Sequence, residues 1–173
     1  MSIVIGLSQG LQPIVSFNYG ARKYERVKKA YRTAITYGVI VSAIALIAFQ
    51  VFPRQIVSIF GSGSEAYYDF AVKYFRIFLL FTFLNCFQPI SSNFFTAIGK
   101  PKKGIFLSLT RQILFLLPLI VVLPLFIGID GIMYSGPIAD FIAGAVSITM
   151  IYFEFKQGKT EYGYNKVSVR ANE

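Results

Sequence analysis

Histidine and tryptophan are absent from these 173 residues, and there is a single cysteine, Cys86. Without imidazole the commonest general base is missing, Cys/His zinc clusters cannot form, and one thiol makes no intrachain disulfide. Charge is sparse too: 14% of residues are Asp, Glu, Lys or Arg, against about 25% in an ordinary soluble domain. No acid pair or nucleophile constellation stands out, so the sequence predicts no enzyme, no cofactor and no metal. Seventeen Lys and Arg outnumber eight Asp and Glu, but the excess sits in short clusters between apolar runs, which argues against nucleic acid as a partner.

What is present in abundance is long apolar sequence. Residues 1–21, 33–53 and 77–99 carry no charge, 104–129 carries only Arg111, and 131–153 only Asp140. A bilayer core takes about 20 apolar residues as a helix. The pattern therefore predicts an all-α, polytopic membrane helix bundle of about five transmembrane helices, at about 1–20, 33–53, 77–99, 105–127 and 131–153. Residues 1–155 form the bundle and 156–173 a polar cytoplasmic tail.

Orientation follows from the basic residues, which cytoplasmic loops retain. Arg22, Lys23, Arg26, Lys28, Lys29 and Arg32 follow the first span, Lys100, Lys102 and Lys103 the third, and Lys156, Lys159, Lys166 and Arg170 the fifth. The opposite side keeps Arg54, with Lys73 and Arg76 on an approach helix, beside Glu65, Asp69 and Asp130. These positions predict an external start and a cytoplasmic C-terminus in the plasma (inner) membrane. The first span has no basic leader region, so more sequence upstream is expected, the chain being a fragment of a longer transporter or having a misplaced start. Phe52-Pro53, Phe60 to Ser64 and Gly99-Lys100-Pro101 punctuate the spans, with Ser64 as a helix cap.

Polar residues kept at depth are the informative ones. Phe81, Asn85, Gln88, Ser92 and Thr96 recur at helical spacing, flanked by Ser91 and Asn93, and Pro89 interrupts the same stretch. They form either a wall of a substrate cavity or an interhelical hydrogen-bond seam. Gln12, sharing a face with Ser8 and Ser16, is a weaker substrate candidate. Asp140 lies near the bilayer midplane, as a proton-coupling carboxyl or as a structural partner of Arg111. Pro89 and Pro118 are hinge candidates, and Pro124 adds a further kink.

Gly6-Leu-Ser-Gln-Gly-Leu-Gln-Pro-Ile-Val-Ser-Phe-Asn-Tyr-Gly-Ala21, followed by Arg-Lys-Tyr-Glu-Arg-Val, resembles the end of the eighth helix of the multidrug and toxic compound extrusion (MATE) family. Pro53 to Gly61, Tyr74 to Ile77, Ala97 to Pro101, Arg111-Gln112 and Gly136 to Asp140 fall as in helices nine to twelve. The resemblance implies most of the C-terminal lobe of a twelve-helix, two-lobed antiporter that exchanges H⁺ or Na⁺ for organic cations or other amphipathic, drug-like compounds. It also implies that a missing N-terminal lobe is needed for function. Some relatives place an acid on the tenth helix, where this chain offers Asn85 and Gln88. The rival readings are a lipid-linked saccharide flippase of similar architecture and a non-transporting scaffold subunit.

Overall fold

The computed structural model describes residues 2–60 and 63–170. Among them every regular element is helical. The order is α1 (Ser2–Gly20), α2 (Tyr24–Val51), α3 (Pro53–Phe60), α4 (Glu65–Phe78), a 3-10 turn (Thr82–Cys86), α5 (Phe87–Ala97), α6 (Pro101–Leu109), a π-helical segment (Thr110–Leu116), α7 (Leu117–Ile127) and α8 (Ile129–Arg170).

Tyr24–Val51, Pro101–Ile127 and Asp130–Gln157 are each long and apolar enough to cross a bilayer. Glu65–Phe78 with Phe83–Ala97, bent by 49°, makes a fourth if read as one broken span. The remaining expected segment, α1, is helical over 19 residues. It falls short of the same apolarity because Ser8, Gln9, Gln12, Ser16 and Asn18 dilute its aliphatic residues.

The surface is the greasy side of this molecule. No residue of α7 is buried, and Leu125 and Phe126 are 78% and 83% exposed. In water such a face would be a liability, whereas in hydrocarbon it costs nothing. The interior is a seam around α5: Ile90, Phe94 and Phe95 are fully buried and pack with Val4, Leu11, Val15, Tyr31 and Leu107. Helix α5 thus contacts α1, α2, α6 and α8, while α7 lies on α8.

Local chemistry sets the boundaries. Pro53 opens α3 directly after α2 ends, and the Ser64 hydroxyl caps α4 by accepting from the Tyr67 amide at 3.4 Å. Gly61 and Ser62, the middle of the turn expected there, lie outside the described residues. At Gly99 φ is +76°, and the Gly99 and Lys100 amides close back onto the Thr96 and Phe95 carbonyls at 3.1 and 2.9 Å. That double closure needs a residue with φ above zero, which glycine supplies without strain. Pro101 then starts α6 in its first turn. The polar stretch after the last apolar run stays helical as far as Arg170.

Two spans depart from the unbroken helices expected. The third, expected as continuous over 77–99, starts as far back as Glu65, leaves the α-helix at Leu79–Phe81 and tightens to 3-10 geometry before α5. Pro89 withholds the amide that would continue the α-ladder onto the Asn85 carbonyl, so the irregular turn falls just before it. The fourth widens to π geometry immediately before Pro118, where the Leu117 amide reaches back five residues to the Gln112 carbonyl. Pro118 again supplies no donor, and the ladder resumes as α-helix. Pro13, Pro124 and Pro137 sit inside helices that continue past them.

Candidate functional site

Polar side chains meet around α5. The Gln12 amide donates to the Asn93 Oδ1 at 2.6 Å, and the Asn93 amide donates to the Ser8 Oγ at 2.7 Å, tying α5 to α1. Ser91 shares a hydrogen bond of 2.9 Å with the Tyr31 hydroxyl of α2. On the side toward α6, Ser92 donates to the Gly104 carbonyl at 2.8 Å and meets Ser108 at 2.7 Å, and Gln88 donates to the Leu107 carbonyl at 3.2 Å. Close approach of α5 and α6 depends on Gly104, where an added Cβ would lie 2.7 Å from the Ser92 carbonyl oxygen.

The candidate substrate residues are therefore placed unequally. Gln12, Gln88 and Ser92 each engage a neighbouring helix, whereas Asn85, on the 3-10 turn, is half-buried and makes no side-chain hydrogen bond to a described residue. The 3-10 turn also takes Asn85 off the even helical stripe expected to run from Phe81 to Thr96, and it packs against α2 and α8 instead.

Asp140 and Arg111 are brought together. The Arg111 Nε donates to Asp140 Oδ1 at 2.6 Å, with the two side chains 24% and 6% exposed. The π segment carries Arg111 at this point and α8 carries Asp140. The rest of that α8 face fits the broken third span. A Cβ at Gly136 would collide with the Phe78 ring at 2.5 Å, and one at Gly144 would touch Leu84 at 3.4 Å. Ser147 is buried and donates to the Ala143 carbonyl within its own helix.

A further polar cluster was not among the expectations. Glu154, 9% exposed, receives Lys100 and, at 2.7 Å, Lys103 from the α5–α6 turn. Its signal in the sequence is an acid at the C-terminal end of an apolar run, matched to the basic connector that the expected orientation puts on the same side. Lys103 also lies 5.6 Å from the centre of the Phe95 ring. Among the described residues no group of three or more His, Cys, Asp and Glu could hold a metal ion.

Apolar surfaces turned outward, with hydroxyls, amides and an ion pair turned inward, define a polytopic all-α membrane protein. The MatE family's sequence profile matches residues 1–122, and the chain belongs to that family. The multidrug export protein MepA of Staphylococcus saprophyticus is 21% identical over 150 residues, covering 87% of this chain and 33% of that protein. The MATE multidrug transporter DinF-BH, solved in complex with R6G, superposes with a TM-score of 0.81 at 31% identity, over 86% of this chain and 33% of its own. Outward- and inward-facing conformations of a MATE family transporter of the MOP superfamily give TM-scores of 0.83 and 0.81 at 19% identity. Each covers 91% of this chain, and 36% and 37% respectively of its own. The chain spans about a third of the length of the curated relatives it matches.

Proposed function

We propose that this chain forms most of one lobe of a cation-coupled multidrug antiporter, exporting organic cations or other amphipathic compounds by alternating access. Membership of the MatE family over residues 1–122 carries the reading. The 31% identity to DinF-BH, whose solved complex holds R6G, supports drug-like substrates. In the complete antiporter a second, N-terminal lobe supplies the facing wall of the path, H⁺ or Na⁺ is the coupling ion, and the C-terminus is cytoplasmic.

Within this lobe Asn85 is the foremost substrate contact, because its amide is half-buried and uncommitted among the described residues. Gln88, Ser92 and Gln12 join it only by exchanging interhelical bonds for substrate, an exchange between comparable hydrogen bonds that rocking of the lobe would permit. Asp140 gains a coupling role if a proton replaces Arg111 as its partner. Pro89 and Pro118 place the flexible turns, and bent or interrupted spans are a recurrent feature of transporters.

The test uses resistance to organic cations in cells carrying the two-lobed protein. Asn85→Leu and Asp140→Leu are each expected to lower resistance at equal membrane abundance. Unchanged resistance in both would favour the scaffold reading.

A further inference from the structure

At the opposite end of the bundle from the Lys100–Lys103 connector, the end of α2, the start of α3 and one face of α4 line an open cavity of about 530 Å³. Val51, Val72 and Ile77 give its lining apolar surface, and Arg54, Asp69, Lys73 and Arg76 give it charge. None of the roles argued above uses it.

The position is that of a membrane surface. Tyr24–Val51 is a spanning helix, and the cavity begins where it ends. Helix α3 follows at once and leaves Ile59 79% exposed, with Val51 and Phe52 before it 58% and 54% exposed. Short amphipathic helices with bare apolar residues at a span's end lie in the interface, among headgroups.

The charges differ in how far they are committed. Arg54 is held by Glu65, one guanidinium nitrogen reaching both carboxylate oxygens at 2.7 Å, and it lies 5.3 Å from the centre of the Tyr68 ring. Lys73 and Arg76 are looser. Asp130 comes only to 3.9 Å from Lys73, too far for a hydrogen bond. Arg76 reaches the Gln50 carbonyl with one nitrogen at 3.4 Å. Three apart on a helix, the two cations are neighbours. Asp69, four residues before Lys73, makes no ion pair with a described residue and is exposed. A loosely held cation pair thus stands beside a carboxylate that pairs with no described residue, next to apolar side chains.

We propose that this cavity seats the headgroup of a zwitterionic phospholipid with a primary ammonium, its phosphate on Lys73 and Arg76 and its ammonium on Asp69. Charge-assisted donors suit a phosphate, and the apolar lining residues suit the first methylenes of the acyl chains. A head lacking a cation leaves Asp69 facing the phosphate's negative charge. A quaternary ammonium has no N–H to give. The inference rests on the bilayer reading alone and not on the transport reading.

The test is native mass spectrometry of the full chain taken from nanodiscs of equal phosphatidylethanolamine, phosphatidylcholine and phosphatidylglycerol. The ethanolamine lipid is expected to be retained best. Lys73→Gln with Arg76→Gln should lower total retention about tenfold or more, while the swap Lys73→Arg with Arg76→Lys keeps it. Asp69→Asn should erase the preference for ethanolamine over choline and leave phosphatidylcholine retention unchanged. Best retention of the glycerol lipid, unchanged retention in the double Gln variant, or displacement of lipid by inorganic phosphate at equal concentration would each overturn the proposal.

Discussion

Arg111 and Asp140 show what a single pair of residues does at membrane depth. Either charge alone is costly there, and the 2.6 Å contact lets each offset the other. Removing one partner of a buried pair strands the other, at a cost of about 3–5 kcal/mol, while removing both with apolar replacement is often close to neutral. Arg111→Leu is therefore expected to lower unfolding stability in detergent by about 3 kcal/mol, and Arg111→Leu with Asp140→Leu to recover most of that loss. Chemical denaturation of the purified chain measures both, and a double variant less stable than the single one would contradict the pairing argument. That Asp140 and Arg111 could meet was legible from their depth in consecutive spans. The bonding of Gln88 and Ser92 to α6 carbonyls was not, because helical spacing says which residues share a face and not which neighbour the face meets.

At the scale of elements, proline explains where two spans become irregular, but not by itself. The 3-10 turn before Pro89 and the π turn before Pro118 follow from a missing donor, yet α1 and α8 run through Pro13 and Pro137 without a break. Sequence therefore showed the capacity to break, and packing decided where it was used. Helix ends were more legible, since Gly99-Lys100-Pro101 and Phe52-Pro53 act through their own backbone chemistry, independent of neighbours. The π segment is consequential because it carries Arg111. Pro118→Ala restores the amide and should let the segment relax to α geometry, turning Arg111 away from Asp140. The coupling between Arg111→Leu and Asp140→Leu, measured by a double-mutant cycle, is then expected to fall by half or more when the cycle is repeated on the Pro118→Ala variant. Undiminished coupling would mean that Pro118 does not set the π register.

At the scale of the whole molecule, the fold class was the most legible property, because five apolar stretches leave almost no alternative to lipid-facing helices. Apolarity was less legible in α1, which is helical but more polar than the other spans and is hydrogen-bonded to α5. The Lys100–Lys103–Glu154 cluster ties α8 to α6 and to the α5–α6 connector, so these segments should move together in any rocking motion. The proposed arrangement of the spans requires basic connectors on one side of the bilayer and the α3–α4 segment on the other.

Thiol labelling of the intact chain in sealed, right-side-out vesicles, with Cys86→Ser as background, tests that requirement. With a membrane-impermeant maleimide, Asp69→Cys is expected to label without permeabilisation, and Lys29→Cys and Lys102→Cys only after it. Labelling of the Lys29 and Lys102 positions in sealed vesicles, with Asp69 protected, would contradict the arrangement of the spans.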